Sequence, residues 1–303
     1  MPTRAVAVAA CLSVGALLLA GCDDASGSDA GGTAVVASAY PFAYVAERVG
    51  GDDVRVQNLT DPGVEPHDIE LTPQQVADVG EADLLVYERG FQAAVDDAIE
   101  LAGHDDDALL DVAEVVPPED TGASTEGDES GLDPHVWLDP RHMVTITVAV
   151  ADRLAAADPD NASAYRQRAD ALVADLTALD RDFERTLADC ARTTVVTSHD
   201  AFRYLAMRYG LEMVPIAGID PAQEPSPSEQ AAIADTVADE GVTTIFTEDL
   251  VDASVADSIA AETGAQTATL SPIEGLSGDT SDEDYLSLMR ANLSALEKAN
   301  GCS

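Results

Sequence analysis

Residues 194–210 read TVVTSHDAFRYLAMRYG, a short apolar run followed by a helical pattern. The β-branched residues at the start predict a buried strand over Thr194–Ser198. The apolar periodicity of the second half predicts a helix over Ala201–Tyr209. A histidine, His199, follows the strand directly. The stretch is therefore one strand–helix unit with a polar junction, and it sets the pattern for the rest of the chain.

The same alternation of short β-rich runs and helical patterns recurs in both halves, which is typical of βαβ units and mostly parallel sheets. The predicted strands of the first half are Ala34–Ala39, Val54–Leu59, Asp83–Tyr87 and Ala108–Val112. Those of the second half are Thr194–Ser198, Leu211–Ile216, Thr243–Thr247 and Thr267–Leu270. We expect an α/β fold with two lobes, each a mostly parallel four-stranded sheet with flanking helices.

One long helical pattern lies between the two halves. Apolar residues follow a 3–4 spacing from Ala162 to Asp189,. A helix of about 27 residues would span about 40 Å, which is the size of a domain. We therefore predict an N-terminal lobe at 34–160, a linking helix at 161–190 and a C-terminal lobe at 191–303.

The N-terminus predicts export. An apolar run from Ala5 to Ala20 is short and rich in alanine, which suits a secretory signal better than a transmembrane helix,. The run ends in Leu19-Ala20-Gly21-Cys22, which resembles the bacterial lipobox. That resemblance implies a signal peptide at 1–21, lipid on Cys22 and a flexible tether at 22–33, anchored to the outside of the bacterial cell membrane. A plain secretory signal that happens to end in cysteine is the alternative.

The charge of the chain excludes one class of partner. Lys and Arg number 15 against 57 Asp and Glu, a net charge of −42 over 303 residues. Nucleic acid is excluded as a partner, because phosphate binding needs a basic surface. A cation is a plausible ligand, although an acidic surface can also serve solubility alone. We expect the acidic loop at 104–133, which contains His104, to be poorly ordered and to lie outside any tight site.

Four cysteines are present, and two of them are accounted for at the N-terminus. Cys11 leaves with the signal peptide and Cys22 carries lipid, so Cys190 and Cys302 remain. Outside the cytoplasm a disulfide between them is expected, and two buried free thiols are the alternative.

Three of the five histidines stand where predicted strands end. His67 comes after the second strand, His135 after the fourth and His199 after the fifth. Ligands of parallel α/β sheets bind outside the carboxyl ends of the strands, so these imidazoles could meet in one cleft between the lobes. Imidazole favours Zn²⁺ among the abundant divalent ions. Each histidine alone could equally cap a helix or lie on the surface.

The sequence positions of nearby polar residues predict their roles. The carboxylates beside the histidines, Asp68, Asp133 and Asp200, could orient the imidazole rings. His142 opens a helix after Pro140 and is interpreted as structural. Helix capping is the favoured role of Glu248, which ends the seventh predicted strand.

Three motifs together resemble the cluster A-I solute-binding lipoproteins of zinc and manganese ABC importers. They are Glu65-Pro66-His67-Asp68, Asp133-Pro134-His135-Val136-Trp137-Leu138-Asp139-Pro140 and Ser198-His199-Asp200-Ala201-Phe202. The resemblance covers about Val35 to Leu296. It implies two lobes joined by one long helix, with the metal held between them.

The resemblance also implies a set of metal ligands. The first three correspond to His67, His135 and His199, and histidine at the third position is the zinc-type pattern, which makes Mn²⁺ less favoured. Where many members carry an aspartate as fourth ligand, this chain has Ser271, and Glu274 matches the glutamate that some zinc-binding members use instead. Water in place of Glu274 is the alternative.

The function implied is capture of Zn²⁺ as a transported ligand and its delivery to an ABC importer permease, by a monomer that is not an enzyme. A lipid-anchored zinc hydrolase, with Glu274 as general base, is one alternative. A zinc chaperone or an adhesin with the same site is another. No His-Glu-x-x-His motif supports the hydrolase,.

Overall fold

The computed structural model describes residue 1 and residues 32–116 and 133–303. Apart from residue 1, the predicted signal peptide at 1–21 lies outside the described residues, and so do Cys22, most of the predicted tether and 117–132 of the acidic loop. Within the described part of the chain, no helix combines the length and the apolar character that a membrane span requires.

The N-terminal lobe contains one four-stranded sheet. Its strands are β1 (Thr33–Ala37), β2 (Val54–Asn58), β3 (Leu84–Tyr87) and β4 (Leu109–Asp111). They are all parallel, in the order β2-β1-β3-β4. Its helices are α1 (Tyr40–Gly50), α2 (Pro73–Glu81), α3 (Ala93–Ala102) and the short α4 (Val112–Val115). Every residue of β3 is buried, as expected for a parallel strand that is covered by helices on both faces,.

One long helix, α6 (Ala162–Thr186), joins the lobes, as predicted, and it packs against α5 (Pro140–Ala157). The buried face of α6 has the 3–4 spacing expected from the sequence, with Tyr165, Ala169, Leu172, Leu176, Leu179 and Phe183 inward,. Its 25 residues span about 37 Å,. The helix ends at Thr186, whereas the sequence pattern predicts an end at Asp189.

The C-terminal lobe repeats the architecture. Its strands are β5 (Thr194–Thr197), β6 (Glu212–Pro215), β7 (Thr244–Thr247) and β8 (Gln266–Thr269), all parallel in the order β6-β5-β7-β8. Its helices are α7 (Arg203–Tyr209), α8 (Pro227–Asp239), α9 (Ser254–Thr263) and α10 (Tyr285–Asn300). A capping box of Ser226 and Glu229 begins α8,. The two predicted four-stranded sheets are thus both present, and one cluster of buried side chains runs through both lobes, α5 and α6.

Part of the acidic loop is structured, which corrects the expectation of poor order from His104 onward. Residues 106–115 form a 3₁₀ turn, β4 and α4. Leu110 and Val112 are buried in the core. The burial of these two apolar side chains offsets the conformational entropy that the segment loses when it becomes ordered, whereas solvated carboxylates contribute no such burial. His104 is fixed as well, because its Nε2 lies 2.6 Å from the carbonyl oxygen of Val79.

The structure joins Cys190 to Cys302 by a disulfide, as predicted, and the two residues also form an isolated antiparallel bridge. The Arg192 guanidinium donates to the carbonyl of Ala299 at 2.8 Å in the same region. The end of the last helix is therefore fixed to the first residues of the C-terminal lobe.

Candidate metal centre

Four side chains from four separate loops converge between the lobes. His67 follows β2, His199 follows β5, Glu274 follows β8, and His135 lies between β4 and α5. All four loops lie at the carboxyl ends of parallel strands, where ligand sites of such sheets are found. One donor atom from each residue lies within 4.8 Å of all the others.

The donors surround one point. Oε1 of Glu274 lies 2.8 Å from Nε2 of His135, 3.3 Å from Nε2 of His199 and 3.5 Å from Nε2 of His67. The Nε2 atoms of His135 and His199 are 3.4 Å apart. Zn²⁺ bonds of 2.0–2.1 Å in a tetrahedron place donors about 3.4 Å from one another. The described side chains therefore fit a tetrahedral ion with three nitrogen ligands and one oxygen ligand.

Burial shields this point from water on most sides. His135 and His199 are fully buried and Glu274 is 2% exposed. His67 is the most accessible of the four, with 9% of its side chain exposed. It lines a cavity of about 540 Å³ between the lobes, which also has Asp220 and Glu224 in its wall. An ion would approach the centre past His67.

Two carboxylates fix the histidine rings from behind. Nδ1 of His135 lies 2.8 Å from Oδ1 of Asp133, as expected. Nδ1 of His199 lies 2.8 Å from Oε1 of Glu248, which also accepts the backbone N–H of His199. Each carboxylate leaves Nε2 directed at the centre and makes the imidazole a better ligand.

Three sequence-based roles, those of Glu248, Asp200 and Asp68, are not the ones that the structure shows. Glu248 caps no helix, since α9 begins six residues later, at Ser254. Asp200, predicted to orient His199, forms an ion pair with Arg203 instead. The signal for Glu248 was its place directly after β7, in line with the other strand-end residues. Asp68 is exposed at the cleft, and no hydrogen bond to a ring of the centre involves it.

His135, His199 and Glu274 shift one another's pKa. Burial lowers the pKa of His135, but hydrogen bonds to Asp133 and Glu274 outweigh it and raise the pKa to about 9. Burial likewise opposes the charge of His199, whose pKa the neighbouring Glu248 nevertheless holds well above its usual value. Burial raises the pKa of Glu274, but the three neighbouring histidines, with His135 foremost, hold it well below the usual range. A cation that binds here replaces protons on imidazole.

The loop that carries Glu274 is attached to both lobes. The indole N–H of Trp137 donates to the carbonyl of Pro272 at 2.8 Å, and the Tyr40 N–H donates to the carbonyl of Glu274 at 3.3 Å. Ser271 stands where many members of the resembled family carry an aspartate ligand, and its Oγ accepts the N–H of Ile273 within the loop.

The other two histidines lie away from the centre. His104 contacts the carbonyl of Val79. Nδ1 of His142 lies 3.1 Å from the carbonyl of Val136, and its ring packs edge-on against Tyr204. This is the structural role expected for His142.

Two parallel α/β lobes with nitrogen and oxygen donors converging between them define a two-lobed binding protein for a metal cation. The chain belongs to the ZnuA family, since the family model for the periplasmic component A of the zinc-uptake complex matches residues 35–299. The resemblance to zinc-type cluster A-I solute-binding proteins is thereby confirmed.

Relatives support the same family. The chain is 32% identical to the high-affinity zinc uptake system protein ZnuA of Bacillus subtilis, over 96% of this chain and 95% of the relative. It is 31% identical to the zinc-binding lipoprotein AdcA of Streptococcus pneumoniae over 94% of this chain, and it spans 59% of that protein's length.

Solved structures share the two-lobe fold. The Zn(II)-bound ZnuA-like domain of the same AdcA matches with a TM-score of 0.75 and 29% identity, over 89% of this chain and 99% of the domain. The laminin-binding protein Lmb of Streptococcus agalactiae, described as an adhesin with metal-transporting activity, matches with a TM-score of 0.78 and 32% identity. That match covers 88% of this chain and 99% of Lmb.

Proposed function

We propose that this protein captures Zn²⁺ outside the cytoplasmic membrane and passes it to the permease of an ABC importer. The ligands in this proposal are His67, His135, His199 and Glu274. The observation that carries it is the convergence of these four donors within 4.8 Å of one another, in a chain of the ZnuA family.

The donor set favours zinc over other abundant cations. Ca²⁺ and Mg²⁺ prefer six or more oxygen ligands, whereas three imidazoles and one carboxylate suit Zn²⁺. Mn²⁺ binds nitrogen ligands more weakly than Zn²⁺ does and prefers more oxygen in its coordination sphere. Zinc is therefore the proposed cargo, and Mn²⁺ is the weaker competitor.

The same geometry favours holding the ion over catalysis. Four protein ligands complete a tetrahedral sphere, whereas a catalytic zinc keeps a position for water. Glu274 points at the three Nε2 atoms, so it serves as a ligand in this proposal and not as the general base of a hydrolase. We therefore propose a carrier and not an enzyme.

A lipid anchor and a monomeric state are part of the proposal. The lipobox-like residues before Cys22 support a lipid anchor on the outer face of the membrane, and the AdcA relative is named a lipoprotein. A monomer is proposed, because the four proposed ligands all come from one chain.

Metal analysis of the purified mature protein tests the proposal. Protein prepared without chelator should contain one zinc per chain, and Mn²⁺ should displace it only in large excess. His199→Ala should abolish tight binding, because it removes one imidazole from a centre that has no spare. His142→Ala is the matched control, since His142 is a half-buried histidine outside the centre.

Growth under zinc limitation tests delivery. Loss of this protein and loss of its permease should impair growth equally, and added zinc should restore both strains. A zinc chaperone or an adhesin would not share this dependence on a permease.

Full zinc binding by His199→Ala would refute the ligand assignment.

A further inference from the structure

Asn292 is a buried amide on the largely apolar inner face of α10. It lies in α10 among the buried Leu288, Met289, Leu293 and Leu296, and only 2% of it is exposed. Burial of an amide is unfavourable unless its donor and its acceptor are both bonded, and asparagine is a poor residue for a helix interior. Its presence on this face therefore points to a specific partner.

That partner is the backbone of Ser271. Oδ1 of Asn292 accepts the N–H of Ser271 at 2.8 Å, and Nδ2 donates to the carbonyl of Ser271 at 2.7 Å. Ser271 lies one residue beyond the last sheet bond on this strand, in which the N–H of Leu270 donates to the carbonyl of Thr247. The Asn292 amide thus continues the hydrogen bonding of the strand past its end.

The backbone turns sharply two residues later. Ile273 has a φ of 58°, and it is the one non-glycine residue with positive φ in the described part of the chain. A β-branched side chain is an outlier in this region, and such a conformation persists only where the surroundings enforce it. The Ile273 side chain is fully buried, and its N–H donates to Oγ of Ser271 at 3.2 Å.

We propose that Asn292 is a positioning residue for Glu274. By fixing Ser271, it enforces the left-handed turn at Ile273, and that turn directs the Glu274 carboxylate at the three histidine Nε2 atoms. Without Asn292, Ile273 would relax to negative φ and would carry Glu274 away from the centre. This inference rests on the proposed function, because it takes Glu274 as a zinc ligand.

Zinc affinity and the visible spectrum of bound Co²⁺ test the proposal in the full mature chain. Asn292→Ala should weaken zinc binding about 10- to 100-fold, as is usual when a residue that orients a ligand is lost. It should also change the position and the intensity of the Co²⁺ absorption bands, because a water ligand then takes the place of the Glu274 carboxylate. The isosteric Asn292→Asp loses the donor to the Ser271 carbonyl, so it should also weaken zinc binding and change the Co²⁺ absorption. It serves as the test variant if Asn292→Ala does not fold.

Asn300→Ala is the matched control. Asn300 is also 2% exposed and lies eight residues further along α10, about 12 Å away,. A general loss of packing in α10 would lower the melting temperature of both variants. Only Asn292→Ala should change the Co²⁺ spectrum.

A double-mutant cycle separates positioning from stability. Glycine adopts positive φ without steric cost, so a chain with Ile273→Gly depends less on Asn292 to hold the turn. Asn292→Ala should therefore cost at least about threefold less affinity in the Ile273→Gly background than in the wild type. Equal losses in the two backgrounds would overturn the positioning role, and so would wild-type affinity with a wild-type Co²⁺ spectrum in Asn292→Ala.

Glu274→Ala, measured in parallel, distinguishes this failure from failure of the proposed function. If Glu274→Ala binds zinc as the wild type does, the proposed ligand set is wrong. If Glu274→Ala is weak while Asn292→Ala is normal, the ligand set stands and only the positioning role is wrong.

Discussion

Replacing Glu248 should weaken zinc binding although Glu248 is not among the converging donors. The Glu248 carboxylate is buried behind His199 and accepts two hydrogen bonds, from Nδ1 at 2.8 Å and from the backbone N–H at 3.2 Å. Glu248→Ala removes both acceptors at once. The His199 ring then has no partner that holds Nε2 towards the ion.

The size of the effect follows from these contacts. Loss of a carboxylate behind a histidine ligand commonly lowers metal affinity about 10- to 100-fold. At 1.4 kcal/mol per tenfold, that is about 1.4–2.8 kcal/mol of binding free energy. Each buried donor left without an acceptor costs about 1–3 kcal/mol of stability, so the metal-free protein should also lose stability. Glu248→Gln keeps an acceptor for Nδ1 but loses the charge, and its loss of affinity should be smaller.

Competition with a chromophoric zinc chelator measures the affinities, and urea unfolding measures the stabilities. Asp249→Asn is the matched control, since it removes one negative charge from the next residue, which is exposed. It should bind zinc as the wild type does. Wild-type affinity in Glu248→Ala would show that the Glu248 contact does not support the ligand and would refute this reasoning.

Four further outcomes are expected. Glu274→Ala should weaken zinc binding less than loss of any of the three histidines, because water can replace a carboxylate oxygen; chelator competition on all four variants compares them. Cys190→Ser with Cys302→Ser should lower the free energy of unfolding by at most about 5 kcal/mol for a separation of 112 residues, measured in urea, with zinc affinity unchanged,. Deletion of 119–130 should leave equilibrium affinity unchanged and slow stopped-flow zinc capture at low salt only; a loss of affinity at high salt would place a ligand in that segment. Because the pKa of His135 is raised to about 9, zinc must displace a proton from this ring at neutral pH,. Zinc affinity should therefore rise as the pH rises towards about 9, and calorimetry in several buffers measures the released proton.

The sheets and most helices could be predicted from local pattern because their residues encode it directly. The fully buried strand Thr194–Thr197 is a run of β-branched residues, and α6 carries its apolar residues at the helical spacing,. The segment 104–116 gives two conflicting expectations, a strand over Ala108–Val112 from local pattern and poor order from its acidic composition, and the burial of Leu110 and Val112 favours the strand. Composition averages over a segment, whereas burial is decided residue by residue.

The histidines could be proposed from their strand-end positions, and Asp133 from its place beside His135, but Glu248 and Asn292 could not. Glu248 is distant in sequence from His199, by 49 residues, and only the pairing of β5 with β7 brings them together. Asn292 resembles any polar residue of an amphipathic helix until its burial and its bonds to Ser271 are seen. Local pattern indicates which side chains stand at the sheet edge, whereas contacts between distant loops depend on the register of the whole fold.

The wide sequence spacing of the converging loops has a consequence for folding. His135 and His199 are 64 residues apart, and His135 and Glu274 are 139 residues apart. An unfolded chain therefore has no short segment that could gather these donors, unlike a zinc finger, and zinc cannot nucleate folding here. The ion then stabilises only the native state, by about 4.1 kcal/mol when free zinc is a thousand times the Kd. A protein arriving unfolded outside the cell membrane would therefore fold first and load afterwards, and a loaded protein would resist unfolding.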